Sequence, residues 1–209
     1  NITISGEDVR HIAKVLRMKT GDELLLCDGK GTEYSVAIAQ VNKSEITTDV
    51  KARSKREISY PLITLGQGLP KSDKMDWIVQ KATELGVATI IPLVTERTIV
   101  KIKDEEKRVS RWLKIAREAA MQSNRPDIPQ VGHIVSFSDF LRTLSPEPRT
   151  LFLLPWEEGT VPIKGILRAN SDMKNIGVLI GPEGGFSSTE AAMAKEYGFH
   201  LVSLGPNIL

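Results

Sequence analysis

Cysteine is nearly absent. Cys27 is the only one in 209 residues, which excludes an intramolecular disulfide and a cysteine-built zinc site, and makes a reducing cytoplasm the expected location. Histidine is almost as scarce: His11, His133 and His200 stand alone. No H-x-x-H or H-E-x-x-H pair exists, so no metal centre is expected. No stretch reaches the roughly 18 uninterrupted apolar residues that a membrane helix requires. The nucleophile elbow G-x-S-x-G is missing, as is the phosphate-cradling G-x-x-x-x-G-K-[ST]. These absences set aside hydrolase, P-loop and metalloenzyme chemistry.

What remains is an ordinary globular composition, with 41% apolar and 26% charged residues and a net charge of +2. That charge is too small to demand a nucleic-acid partner, but it is unevenly spread. Residues 61–125 carry 12 basic against 8 acidic side chains, whereas residues 126–209 carry 6 against 9. The middle third is where an anionic partner is expected, although a solvated charged face gives the same excess.

The richest stretch is Asn175–Leu209, NIGVLIGPEGGFSSTEAAMAKEYGFHLVSLGPNIL. Ile176–Ile180 is an apolar run with the pattern of a strand buried on both faces. Gly181-Pro182-Glu183-Gly184-Gly185 must break it. Ser187-x-x-Glu190 has capping-box spacing and predicts a helix, which Gly198 ends. His200–Leu204 predicts another strand, followed by the second glycine break Leu204-Gly205-Pro206. Loops at the carboxyl ends of buried strands are where open α/β sheets hold ligands. The first loop does not match G-x-G-x-x-G, and Glu183 would repel a phosphate. A neutral or cationic ligand suits it better, and a plain structural turn is an equally good reading of the loop taken alone.

Upstream, residues 1–57 have a pattern of their own. Ser5-Gly6-Glu7-Asp8 can open a short helix with Val9, Ile12, Ala13 and Leu16 on one face. Glu23–Cys27, Thr32–Val41 and Glu45–Val50 read as strands separated by turns. A small β-barrel with one helix is expected, and Arg10, His11, Lys14, Arg17 and Lys19 on or beside that helix form either a solvated face or an RNA-facing edge. Lys51–Glu57 reads as a linker. From Pro61 onward strands alternate with helices, the signature of a mostly parallel sheet. Predicted strands cover Leu62–Gly66, Val87–Val94, Val131–Val135 and Thr150–Leu154. Predicted helices begin at Ser72 or Asp73, run from about Glu105 to Ser123, and cover Phe137–Leu144 and Ile163–Ala169. On the longest helix Arg111, Glu118, Gln122 and Arg125 are expected to share one side.

The glycine loop with Ser187 and Glu190, together with Leu204-Gly205-Pro206-x-Ile208-Leu209, resembles the signature of the SPOUT RNA methyltransferases. Further stretches narrow the resemblance to the members that methylate N3 of a uridine in small-subunit (16S) ribosomal RNA. These are His11-Ile12 with Val15-Leu16-Arg17, Gly68-Leu69-Pro70-Lys71-x-Asp73-Lys74-Met75, Gln80-Lys81-x-x-Glu84-Leu85-Gly86, Glu96-Arg97, and Glu118-Ala119-Ala120-x-Gln122-Ser123-x-Arg125. The resemblance covers almost the whole chain. It implies an N-terminal PUA-like β-barrel that grips RNA, spanning residues 1–57. It also implies an α/β methyltransferase domain with a trefoil knot over residues 58–209, a homodimer, and S-adenosylmethionine bound at the two glycine loops.

The cofactor-binding set implied by the resemblance is Leu154, Leu179, Ile180, Gly181, Pro182, Glu183, Gly184, Gly185, Leu204, Gly205, Pro206, Ile208 and Leu209. Uridine N3 is a poor nucleophile until its proton leaves, so a group must stabilise the anion. Arg125 and Arg97 are the candidate cations, Gln122 a reader of the uracil edge, and Glu118 an orienting partner. Arg10, His11, Arg17, Lys71 and Lys74 are candidate RNA contacts. Asn207 replaces an arginine usual at that position in the family, and both ends of the chain read as cut edges of a longer protein. The alternative is a catalytically silent RNA-binding or ribosome-assembly factor of the same fold.

Overall fold

The computed structural model describes residues 1–55, 61–144 and 148–205. Two compact units result: Asn1–Glu57 with Asn124–Asp127, and Ile58–Ser123 with Ile128–Leu209.

The first unit is built on a four-stranded antiparallel sheet of β1 (Ile2–Ser5), β2 (Glu23–Cys27), β3 (Thr32–Val41) and β4 (Glu45–Lys55), in the order β1-β4-β3-β2. Every other residue of β3 and β4 turns inward, so Val36, Ile38 and Ile46 are buried, as period-two patterning requires. Val9 and Ile12 of the helical segment close over this sheet with Ile38 and Ile46. That segment differs from expectation. It begins as α1 (Glu7–Arg10) and widens into a π turn, His11–Val15. The wider period turns Leu16 outward to 55% exposure instead of onto the buried face. The expected linker also needs correcting. Lys51–Lys55 continue β4, and Ala52–Lys55 pair with Thr32–Ser35 of β3, because a charged run on a solvated strand can still form a ladder. The rest of the expected linker, Arg56 and Glu57, lies outside the described residues.

The second unit is an α/β layer whose sheet is parallel throughout, in the order β10-β12-β9-β11-β5-β6-β7, with β8 also on β6. Its strands are β5 (Leu62–Gly68), β6 (Thr89–Val94), β7 (Gln130–Val131), β8 (Val135–Ser136), β9 (Thr150–Pro155), β10 (Val161–Pro162), β11 (Asn175–Ile180) and β12 (His200–Ser203). The helices are α2 (Lys74–Glu84), α3 (Glu105–Gln122), α4 (Phe137–Thr143), α5 (Ile163–Ala169) and α6 (Ser188–Glu196). The single strand expected at Val131–Val135 is two short pieces, both on the edge of β6, with Gly132–Ile134 between them.

One buried cluster packs α2 and α3 against β6 through Met75, Val79, Ala82, Ile90, Trp112 and Ala116. Another gathers Leu93, Phe137, Leu154, Leu179, Phe186 and Phe199 beneath the carboxyl ends of the central strands. α3 stops at Gln122, so the helical spacing does not extend to Arg125. Arg125 belongs to the first unit, is 9% exposed, and forms an ion pair with Asp127.

Candidate functional site

β9 lies between β11 and β12, and all three run in the same direction. Their carboxyl ends therefore sit side by side. The loops leaving them enclose a cavity of about 350 Å³, lined by Pro155, Trp156 and Glu157 after β9, by Ile180–Phe186 after β11, and by Ser203–Gly205 after β12. The two glycine loops singled out in the sequence are thus two walls of one cavity. The third wall, Pro155-Trp156-Glu157, had no functional signal in the sequence beyond its place at a strand end.

The loop after β11 is held from every side. Gly181 must be glycine because a Cβ there would stand 2.8 Å from the carbonyl carbon of Gly185. The Gly185 amide donates to the Pro182 carbonyl at 2.8 Å, and Gly185 takes a φ of +67°. From β5, the buried amide of Gln67 donates to the carbonyls of Gly68 and Gly181, at 2.9 and 3.2 Å. From the segment after β6, Arg97 Nη1 donates to the Gly184 carbonyl at 2.6 Å. The capping box forms as its spacing predicts. Ser187 Oγ accepts from the Glu190 amide, and Glu190 Oε2 accepts from the Ser187 amide. The same buried carboxylate reaches further, its Oε1 accepting from the Glu96 amide at 2.9 Å. Glu190 therefore joins the start of α6 to the segment carrying Arg97.

Glu183 has a defined partner. Lys74 Nζ lies 2.7 Å from its Oε1, and the Lys71 amide donates to both carboxylate oxygens at 3.2 Å. The ammonium of Lys74, aided by backbone N–H donors, holds its carboxyl down at about 2. Lys74 is thereby engaged with the loop. A second cavity, of about 460 Å³, opens on the other side of the glycine loop at the ends of β5 and β6. It is lined by Leu69, Lys71, Glu96, Arg97, Thr98, Ile99, Glu183 and Gly184. Glu183 and Gly184 face both cavities, so the loop is a partition one residue thick.

The other expected residues fall elsewhere. Leu154 and Leu179 are core residues beneath the cavity rather than lining it. Glu118 and Gln122 line a groove between α2 and α3 with Asp73, Asp76, Trp77 and Gln80, sharing no residue with either loop cavity. The four catalytic candidates are therefore not gathered at one place within the second unit: Arg97 stands at the glycine loop, Glu118 and Gln122 on α3. Arg10, His11 and Arg17 are exposed on the first unit, Arg17 with a φ of +56°. Pro206, Asn207, Ile208 and Leu209 lie outside the described residues. Among the described residues no cluster of histidine, cysteine, aspartate and glutamate can hold a metal. No described helix is long and apolar enough to cross a membrane.

Residues 57–209 match the model of the RNA methyltransferase domain family. The chain belongs to that family. Residues 4–51 match the RNA methyltransferase PUA domain, so this methyltransferase chain pairs its α/β domain with an N-terminal PUA-like domain. The chain is 33% identical to ribosomal RNA small subunit methyltransferase E of Bacillus subtilis, over 99% of this chain and 83% of that one. Among solved structures it resembles the enzyme of that name from Neisseria gonorrhoeae bound to S-adenosylmethionine. The TM-score is 0.88 at 32% identity, over 100% of this chain and 84% of that one. A Legionella pneumophila methyltransferase with bound S-adenosylmethionine aligns with a TM-score of 0.78 at 33% identity, covering 100% and 85% of the two chains.

Proposed function

We propose that this chain is an S-adenosylmethionine-dependent methyltransferase that methylates N3 of a uridine in small-subunit (16S) ribosomal RNA. The observation that carries the reading is the cavity over β11, β9 and β12. It combines close-approach glycines, exposed main-chain groups and a carboxylate rim, which suits an adenosine bearing positive charge and disfavours a phosphate. The buried indole N–H of Trp156 in its wall has no hydrogen-bond partner among the described residues.

When bound, S-adenosylmethionine supplies an electrophilic methyl group on its sulfonium. The chain's own contribution is placement and charge. Ile180–Gly185 and Ser203–Gly205 would hold the cofactor, as would Pro206, Ile208 and Leu209 by the family resemblance. The target base would enter the cavity across the glycine loop, where Lys71 and Arg97 offer cations to the anion that forms as N3 loses its proton. Gln122 and Arg125 would act on the RNA outside that cavity, with Glu118 orienting an arginine. Arg10, His11 and Arg17 of the PUA-like domain, read as a β-barrel, grip the phosphate backbone. A knotted α/β domain, a homodimer and a cytoplasmic setting complete the reading, in line with the family resemblance.

The test is transfer of labelled methyl from S-adenosylmethionine to small ribosomal subunits or their free RNA, with the product nucleoside identified by mass spectrometry. N3-methyluridine is expected. Binding of cofactor without transfer to either substrate would instead indicate the RNA-binding factor.

A further inference from the structure

Among the described residues, two charged side chains, Glu157 and Glu183, line the cavity over β11, β9 and β12. They differ in one respect. Glu183 is neutralised by Lys74 and by the Lys71 amide. Glu157 makes no hydrogen bond or ion pair among the described residues. It is nevertheless close to the glycine loop, with Oε2 3.7 Å from where a Cβ on Gly185 would stand. Arg97 Nη1 approaches the same point at 4.0 Å, but it donates to the Gly184 carbonyl rather than to Glu157.

The Glu157 backbone is fixed as well. The Trp156 amide donates to the Val202 carbonyl at 3.0 Å and the Gly159 amide to the Trp156 carbonyl at 2.9 Å. Gly159 packs so closely on Val202 that a Cβ would stand 2.7 Å from its carbonyl carbon. The turn bearing Glu157 is therefore pinned to β12, and its carboxylate stands on the rim without an ion-pair partner among the described residues.

We infer that Glu157 is the residue that recognises the positive charge of the bound cofactor, at its ammonium or its sulfonium. This rests on the proposed use of the cavity for S-adenosylmethionine. A carboxylate held beside a cationic ligand in a partly enclosed site gives a charge-assisted contact, stronger than a neutral hydrogen bond. A lost contact of that kind reads as about a tenfold change in affinity.

The test is calorimetric titration of the wild-type chain, Glu157→Gln and Glu157→Lys with three ligands. S-adenosylmethionine carries both cations, S-adenosylhomocysteine only the ammonium, and 5′-methylthioadenosine neither. Glu157→Gln is expected to lose about tenfold for S-adenosylmethionine, and Glu157→Lys more, while 5′-methylthioadenosine binds all three proteins alike. Retained binding of that neutral ligand also reports an intact pocket. Loss for S-adenosylhomocysteine as well identifies the ammonium as the recognised group, and its sparing identifies the sulfonium. Either result supports the assignment. Unchanged affinity of Glu157→Gln for S-adenosylmethionine, or an equal loss for 5′-methylthioadenosine, overturns it. Failure of the wild-type chain to bind S-adenosylmethionine would instead overturn the use of the cavity itself.

Discussion

The two glycine loops bound one cavity but are built in opposite ways. Around the loop after β11, glycine is required by crowding: at Gly181 within it, and at Gly68 of β5 beside it, a Cβ would meet backbone within 3.0 Å. Side chains from three separate segments, Gln67, Arg97 and Glu190, tie that loop and the start of α6 in place. After β12, glycine is required by backbone angle alone. Gly205 has a φ of +134° and, among the described residues, nothing within 4 Å of its Cβ position. Its own tether is local, its amide donating to Ser203 Oγ at 3.2 Å. One wall is held by long-range contacts, the other by its own turn. A cavity built this way can keep one face rigid while the other adjusts to its ligand.

This contrast can be broken by substitution. The largest effect is expected at Gly68→Ala, whose new methyl would lie 2.6 Å from Pro182 Cδ and 2.7 Å from Pro182 N. Backbone cannot yield as a flexible side chain does, so a loss of about 3 kcal/mol in denaturant unfolding is expected. A loss under ~1 kcal/mol would show that the first loop is not rigid. Next comes Glu190→Ala, which strips the acceptor from the Ser187 and Glu96 amides. About 2 kcal/mol of stability should go, with faster hydrogen exchange at both amides. Exchange raised at Ser187 alone would mean that the contact to the segment after β6 contributes nothing.

Gly205→Ala should cost less, about 1 kcal/mol, because the methyl has room and only the backbone angle is disfavoured. A cost equal to that of Gly68→Ala would erase the distinction between the loops. The smallest effect concerns Glu183, whose folded carboxyl is held at about 2 against an ordinary 4.5. Because the folded value is the lower one, its contribution to stability is present above about pH 4.5 and is lost as pH falls towards 2. The carboxylate is solvent-screened, so the change in stability is slight. The clean readout is the carboxyl titration followed by NMR. Its midpoint should rise towards 4.5 in Lys74→Ala, and an unmoved midpoint would remove Lys74 as its cause.

Legibility followed the range of the interaction. The capping box at Ser187 and Glu190, the glycine break after β11 and the alternation of strand and helix are local signals, and each was readable. The second bond of Glu190, to Glu96, crosses 94 positions of sequence and no spacing announces it. Trp156 and Glu157 were readable only as a strand end, because their place beside the glycine loops depends on β9 lying between β11 and β12. Helical periodicity misled where the helix itself changed. It carried Arg125 onto α3, which ends at Gln122, and Leu16 onto a face that the π turn rotates away. A ligand without phosphate was expected at the glycine loop from the charge of Glu183 taken alone. The residue left free to meet a cation was not, because neutralisation of Glu183 by Lys74 spans 109 positions.

The strand order has a consequence for how the chain is made. β11 fills the space between β5 and β9, both of which precede it in sequence. During synthesis those two strands emerge first, each with a bare apolar edge awaiting a partner more than a hundred residues after Leu62 in one case and about twenty-five after Thr150 in the other. The sheet cannot close until residue 180 has left the ribosome, so assembly of this unit is a late, long-range event with slow kinetics. Until then a chaperone or a neighbouring nascent chain competes for the same open edges.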